Sequence, residues 1–260
     1  MPTLWVAVVA FGSLLLSSVA GYGGSLMLVP VLAATLGPKE GIALASLMLA
    51  VNNVCKVVAY RDSLGLRKGW VLLPVSFAGA LLGGLLLVEL PRTAVVWALV
   101  VVTAASLTIE LVGPASLVRQ QPRMAVPLLG ASAVLSGVSG SSGPLKGIAI
   151  RSLRLGRMEH VGLASSVSLV ADVTKTEIFR RSGFLAGADL SILLVCVPAM
   201  PIAALVGRRV NLYVGESVFR VVFWLVVSAY LARVVIGWGE NWEPRGSTTR
   251  SCGGPPPSPA

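Results

Sequence analysis

Long apolar runs dominate the pattern of hydrophobic and polar positions along the chain. Several of them approach or exceed the ~20 residues that a helix needs to cross about 30 Å of hydrocarbon. The runs are continuous, without the strand-like alternation of a closed barrel, so helices are the elements that can satisfy the backbone in lipid. The pattern predicts an all-α polytopic membrane protein with about seven to eight hydrophobic membrane segments. The runs are Leu4–Ala20, Ser25–Leu36, Gly41–Tyr60, Trp70–Val88, Ala94–Val112, Ala125–Val138, Val161–Phe179, Leu190–Val206 and Val214–Ile236.

Composition agrees with this prediction. The mean hydropathy is +0.84 and only 12% of the residues are charged, against about 25% in a soluble domain. The formal net charge of +10 is explained by Lys and Arg in short loops between membrane segments. No soluble basic domain is present, so nucleic-acid binding is not expected. The N-terminus lacks a basic region and a cleavage site, so the first apolar run is expected to be structural and not a removable signal.

Residues that would carry metal, redox or enzyme chemistry are sparse. Cys55, Cys196 and Cys252 show no CxxC spacing, and His160 is the single histidine, so we expect no disulfide framework, metal site or cofactor. The chain contains no HExxH, no GxSxG with a triad and no phosphate-binding GxxxxGK[ST] loop. It is therefore not expected to be an enzyme.

The chain matches itself when it is displaced by 119 residues. The segment IALASLMLAVNNVCKVVAYRDS (Ile42–Ser63) then lies over VGLASSVSLVADVTKTEIFRRS (Val161–Ser182), with Lys56 over Lys175 among the identities. The same displacement puts GYGG, at 21–24, over GSSG, at 140–143. Internal duplication with glycine-broken apolar segments at corresponding places is typical of secondary transporters.

The duplication predicts a domain organisation. Residues 1–118 form a first transmembrane repeat, 119–123 a polar linker, 124–238 a second repeat and 239–260 a disordered tail rich in Pro and Gly. The first segment, Leu4–Leu36, would be about 50 Å long as one helix, so it either crosses as a long broken helix or turns back at its glycines. Loop charges favour turning back, with three full spans in each half and the halves inverted. In that arrangement one side of the membrane carries most of the basic loops, and the other carries only Lys39, Arg92, Arg180 and Arg181.

The two glycine breaks are the first candidate site. Each would expose free backbone N–H groups and a positive helix end near the bilayer midplane, which suits a small anion. The alternative is that the glycines only permit a kink or close helix packing, and for Gly79 and Gly83 close packing is the preferred interpretation. The candidate residues at the breaks are Gly21, Gly23, Gly24 and Ser25 in the first half and Gly140, Ser141, Ser142, Gly143 and Pro144 in the second.

Ionisable and amide residues within the apolar runs complete the candidate site. Asp172 and Lys175 are three residues apart on one helical face and could neutralise each other; Asp172 is also a candidate proton carrier. Lys56 and Lys175 either contact substrate or extend to the lipid headgroups. Asn52 and Asn53 either bind an oxyanion or bridge helices. Lys146, two residues after Pro144, is the basic residue of its loop best placed to reach a ligand.

These features together resemble the TauE/SafE family of sulfite exporters. The resemblance rests on the GxGG break followed by Pro30, the ALAS start of the next helix at Ala43–Ser46, the basic loop with Trp70, and the second Gly-x-x-Gly-Pro break at 140–144. It covers about residues 5–237. The resemblance implies a multi-pass carrier of small sulfur-containing anions such as sulfite, sulfoacetate or other sulfonates in the bacterial inner membrane. It also implies export driven by an ion gradient.

The leading hypothesis is therefore a secondary transporter that binds a small anion between the two breaks and works by alternating access of its halves, with proton coupling through Asp172. An uncoupled channel-like anion permease is a second possibility. A membrane partner or sulfur-relay protein without transport is a third. Beyond the anion and the lipid bilayer, the sequence predicts no partner, and it leaves the identity of the anion and the oligomeric state open.

Overall fold

The computed structural model describes residues 10–15, 17–18, 23–112, 122–141, 143–186 and 191–213, and these ranges contain helices and no strand. The all-α class is therefore confirmed for this part of the chain. Short 3-10 turns occupy Arg61–Ser63 and Pro122–Met124, and residues 10–15 and 17–18 are also helical. The helices are α1 (Gly24–Leu36), α2 (Pro38–Ala59), α3 (Leu66–Gly69), α4 (Leu72–Glu89), α5 (Arg92–Val112), α6 (Ala125–Ser139), α7 (Gly143–Arg151), α8 (Arg157–Arg181), α9 (Ser191–Cys196) and α10 (Ala199–Tyr213).

Most helix boundaries follow the apolar runs, with small differences. Helix α1 begins at Gly24, which the sequence assigns to the break, and α7 begins at Gly143, one residue before Pro144. The run expected as one element at Leu190–Val206 is divided into α9 and α10 by a turn at Val197–Pro198, because proline lacks the N–H that a continuous helix needs. The predicted tail, 239–260, lies outside the described residues.

Helices α2 and α8 pack antiparallel against each other. Near the start of α2, the Lys39 Nζ lies 5.2 Å from the centre of the Phe184 ring, which follows α8. Midway, Asn53 Nδ2 donates a hydrogen bond of 2.7 Å to Asp172 Oδ2. Just past the end of α2, the backbone of Ser63 contacts Gly162, near the start of α8. Residue numbers therefore rise along one helix as they fall along the other.

Helices α4 and α6 approach each other through glycine. A Cβ atom added to Gly83 would lie 2.8 Å from Gly137 Cα, and one added to Gly79 would lie 2.6 Å from Ala133 Cβ. Real Cβ atoms do not come this close, so the two backbones meet where side chains are absent. This is the packing interpretation that the sequence favours for Gly79 and Gly83.

The chain reverses direction at both glycine breaks. Gly23 precedes α1 with φ +94°, and Gly140 closes α6 with φ +74°, a left-handed conformation that glycine adopts without strain. A Cβ added to Gly24 would lie 2.9 Å from the carbonyl oxygen of Ser13. If Ser13 and Gly24 belonged to one continuous helix, they would be about 16 Å apart along its axis. In the second half, α6 and α7 pack together and contribute to one apolar core cluster, so the described segments on the two sides of each break lie against each other, as in a helical hairpin.

The outer surface is apolar along the length of several helices. Trp97 and Leu194 are about 70% exposed, and contiguous exposed apolar surface marks contact with lipid or protein. Helices α2 and α4 are the two in the described ranges that are long and apolar enough to cross a membrane. The total number of spans stays a prediction.

Charged groups lie at the two ends of the helices. The loop after α2 meets the start of α8, since a Cβ on Gly65 would lie 3.0 Å from the Glu159 carbonyl oxygen. At the opposite end, Lys39 donates to the Val88 carbonyl oxygen at 2.8 Å. The basic residues of the 61–68 and 151–157 segments therefore share one end.

Candidate functional site

A polar cavity lies between α2, α8 and the two breaks. Its volume is about 30 Å³, counted as space open to the centres of water molecules, which is room for about two waters. The lining is rich in hydroxyl groups, and it also contains Asn53, Lys146 and Asp172. The serines that line it are Ser17, Ser25, Ser76, Ser132, Ser136 and Ser168.

Asp172 is held in place by two donors from different helices. Lys175 Nζ lies 2.8 Å from Asp172 Oδ1, with the lysine side chain fully buried. Asn53 Nδ2 donates to the other carboxylate oxygen. The ion pair that the spacing of Asp172 and Lys175 predicts is thus present, and it fixes the carboxylate at the wall of the cavity.

Each of the three lysines near the cavity donates to a serine. Lys56 Nζ lies 2.9 Å from Ser17 Oγ, and Lys175 Nζ lies 2.9 Å from Ser136 Oγ. The third lysine, Lys146, donates to Ser168 Oγ at 2.6 Å. Lys56 is 1% exposed and Lys175 is 0% exposed, so neither extends to the lipid headgroups. The headgroup alternative for these two lysines is wrong.

The two breaks meet at the cavity. Gly23, Gly24 and Ser25 line it from one side and Gly140 from the other. The Oγ atoms of Ser25 and Ser141 are 3.5 Å apart. The start of α1, where the helix dipole is positive, therefore lies at the cavity without a side-chain cap from the described residues, and its Leu26 N–H donates to the Gly23 carbonyl oxygen at 3.1 Å.

The remaining predicted residues are distributed around this centre. Lys56 and Lys175 are absent from the described lining and contact the hydroxyls of lining serines. Asn52 is fully buried outside the described lining, and within the described part of the chain neither of its amide atoms has a hydrogen-bond partner. Gly143 and Pro144 open α7, while Gly21 and Ser142 lie outside the described residues.

Four cavity serines, Ser17, Ser76, Ser132 and Ser136, are the part of the site that sequence reasoning missed. Ser17 and Ser136 are separated by the same 119 residues as Asn53 and Asp172. Extending the repeat alignment upstream of the glycines places GSLLLSS (12–18) over ASAVLSG (131–137) and aligns both the Ser13–Ser132 and the Ser17–Ser136 pairs. The signal was therefore available, since hydroxyls at matching positions in an apolar segment are unlike generic lipid-facing sequence.

The side chains that could bind a metal ion are scattered in the described part of the chain. There, no group of three or more His, Cys, Asp or Glu residues is placed to hold a metal ion. Cys55 and Cys196 are free thiols on separate helices. The chemistry that the site offers is thus hydrogen bonding and charge.

A hydroxyl-lined cavity with buried charges, enclosed by helices with apolar outer faces, defines a helical membrane transport protein. The family model for the sulfite exporter TauE/SafE matches residues 5–234. Because this match covers most of the chain, the protein belongs to the TauE/SafE family of sulfite exporters. Searches of curated proteins and of solved structures found no significant match. Membership of a transporter family supports the membrane location and agrees with the expectation that the chain is not an enzyme.

Proposed function

We propose that this protein transports a small sulfur oxyanion, with sulfite or a small sulfonate as the first candidates, across the bacterial inner membrane. The substrate would occupy the cavity between the two breaks. The volume there suits a ligand of a few atoms. The direction of transport in the proposal is export, as in the family to which the chain belongs.

The observation that carries this proposal is the charge around the cavity. Three lysines, Lys56, Lys146 and Lys175, surround it, and Asp172 is the one acidic side chain in its described lining. A buried charge without a partner is costly, so cavities of this kind favour a counter-ion. An anionic substrate would supply the missing negative charge.

The contacts also support an inverted repeat. Asn53 and Asp172 occupy corresponding positions in the two predicted halves and touch each other. If two halves are related by a two-fold rotation axis, two corresponding residues can touch each other only when both lie next to that axis. Because the equivalent helices α2 and α8 are antiparallel, that axis would run across the helices, in the membrane plane, as in inverted-topology transporters. The substrate site would then lie near the bilayer midplane.

Alternating access is the transport mechanism in this proposal. Each half contributes a glycine break to the cavity, with one lysine–serine contact from the first half and two from the second, so a rocking of one half against the other would open it to either side in turn. Asp172 would exchange a proton during the transport cycle, because its carboxylate is the one acidic group in the described lining of the cavity. Coupling to a proton gradient is therefore part of the proposal.

The test is flux through the purified full-length chain in liposomes. Sulfite, sulfate, thiosulfate and a small sulfonate would be offered with and without a pH gradient. The proposal expects flux of sulfite or the sulfonate that rises with the gradient, and it expects Asp172→Asn to make the remaining flux independent of the gradient. If none of the four anions moves, the proposal is refuted.

The same assay separates the two other functions. Flux that continues unchanged after the gradient is collapsed would identify an uncoupled permease using the same cavity. A membrane partner or sulfur-relay protein would show no flux, and replacement of Cys55 or Cys196 would abolish its function in cells. Their places on separate helices, in an intermediate and a buried position, give no support to a relay.

A further inference from the structure

We propose that the hydroxyls of Ser17 and Ser136 are the groups that donate hydrogen bonds to the transported anion, and that Lys56 and Lys175 act behind them as positioning residues. This inference rests on the proposed function. It identifies the side chains that contact the anion. Neither the family match nor the position of the glycine breaks determines these side chains.

The argument begins with the protons of the lysine–serine contacts. An ammonium group has three donors and no acceptor, whereas a hydroxyl has one proton and two lone pairs. In the contacts Lys56 Nζ–Ser17 Oγ and Lys175 Nζ–Ser136 Oγ, each 2.9 Å, the serine oxygen must therefore be the acceptor. The hydroxyl proton of each serine is left to donate elsewhere.

Two other cavity serines, Ser76 and Ser168, have already used their proton. Ser168 accepts from Lys146 but donates to the Ala164 carbonyl oxygen at 2.7 Å. Ser76 donates to the Val167 carbonyl oxygen at 2.9 Å. Among the residues that the structure describes, no acceptor is recorded for the hydroxyl of Ser17 or Ser136, and both line the cavity. An acceptor inside the cavity would satisfy both hydroxyls.

Burial makes these two donors strong. Ser17 is 4% exposed and Ser136 is 6% exposed, so water competes little for their protons. A cation bound to the oxygen of a hydroxyl polarises the O–H group, and hydrogen bonds in a chain strengthen one another at low dielectric. Each half of the molecule thus presents one cation-backed hydroxyl to the same cavity. The ligand class that fits two such donors is a small oxyanion, whose oxygens accept from both.

Two buried serines provide matched controls. Ser46 and Ser165 are also separated by 119 residues, and both are at most 1% exposed. Each donates its proton to the carbonyl oxygen four residues earlier, at 2.9 Å and 2.7 Å respectively. Neither belongs to the described lining of the cavity. Replacement by alanine at these positions removes a buried hydroxyl without removing a donor to the ligand.

The experiment measures sulfite uptake into liposomes as a function of concentration for the full chain. Ser17→Ala and Ser136→Ala should each raise the KM for sulfite about 10- to 100-fold, the effect of losing one hydrogen bond to a charged group. Ser46→Ala and Ser165→Ala should leave it unchanged. Ser17→Thr, which keeps the hydroxyl, should recover most of the affinity. Thermal unfolding with and without sulfite gives a second readout, because ligand-dependent stabilisation should fall in parallel with affinity.

The positioning role of Lys56 is tested by a double-mutant cycle. If Lys56 acts through the Ser17 hydroxyl, Lys56→Met in the Ser17→Ala background should raise KM little further, although each change alone raises it. Additive effects would overturn this role. If the wild-type protein transports sulfite and both Ser17→Ala and Ser136→Ala keep the wild-type KM, the inference about the serines is overturned and the proposed function stands. Wild-type protein that moves no anion would instead remove the proposed function on which the inference rests.

Discussion

Lys56 and Lys175 occupy corresponding positions of the predicted repeat, yet methionine should destabilise the protein at Lys175 and should not do so at Lys56. Lys175 is fully buried and pairs with Asp172 at 2.8 Å, an attraction of about 6 kcal/mol at an effective dielectric constant of about 20. Lys56 is equally buried, but the partners that the structure gives it are the hydroxyl and carbonyl oxygens of Ser17. Methionine fills nearly the same volume as lysine in both cases.

Removing one partner of a buried ion pair costs about 3–5 kcal/mol, because it leaves the other charge uncompensated. Lys175→Met should therefore lower the unfolding temperature by roughly 6–20 °C for a chain of this size. Lys56→Met removes a buried cation that has no carboxylate partner in the described contacts, so its unfolding temperature should stay the same or rise.

Thermal unfolding of the purified variants in detergent, followed by tryptophan fluorescence, measures both effects. Asp172→Asn combined with Lys175→Met should recover most of the loss, since the double variant buries neither charge. The reasoning is refuted if Lys56→Met is destabilised as much as Lys175→Met. It is equally refuted if Lys175→Met unfolds at the wild-type temperature.

Three further predictions follow from the packing and the hairpins. Gly83→Ala should lower the unfolding temperature, because its Cβ would collide with Gly137. Gly130→Ala is the control, because its Cβ would make ordinary contact with Val75 at 3.6 Å. This control should leave the free energy of unfolding unchanged or raise it by up to about 1 kcal/mol. In a cysteine-free background, cysteines at Arg123 and Arg154 should be labelled from the same side of the membrane because α6 and α7 form a hairpin, and labelling from opposite sides would show that the segment crosses. Asn53→Asp should abolish sulfite uptake in liposomes by opposing two carboxylates, and uptake at the wild-type rate would contradict the hydrogen bond between these positions.

Much of the architecture could be predicted from the sequence because its signals are local. Continuous apolar runs give helices, and Gly23 and Gly140 adopt the left-handed conformation that turns the chain. Proline gave a local signal too, but its meaning depends on context: Pro30 lies inside α1, whereas Pro198 interrupts the run between α9 and α10. Whether a proline stays inside a membrane helix or interrupts it depends on the hydrogen-bond partners that neighbouring helices offer to the freed backbone groups. The sequence of a single segment does not contain this information.

Residues of the site could be predicted where spacing along the sequence or the repeat alignment identified them. They could not be predicted where the answer depends on the direction in which a side chain points. Asp172 and Lys175 share a helix, so their spacing predicts the ion pair that the structure contains. Asn52 and Asn53 are adjacent in the sequence, but only Asn53 faces the cavity. A helix turns by about 100° between neighbours, and the rotation of α2 about its axis is set by its packing against α1, α8 and α10.

The amide at Asn53 and the carboxylate at the corresponding Asp172 decide the charge of the proposed site. These two residues, at corresponding positions of the predicted repeat, touch each other, so the choice at one position constrains the other. Aspartate at both positions would oppose two carboxylates at hydrogen-bond distance, and asparagine at both would leave Lys175 without a counter-ion. One amide and one carboxylate satisfy the contact and neutralise one lysine. The positive charge of Lys56 and Lys146 is then available to an anion, so the departure from symmetry at this pair is what would make the cavity selective for negative charge.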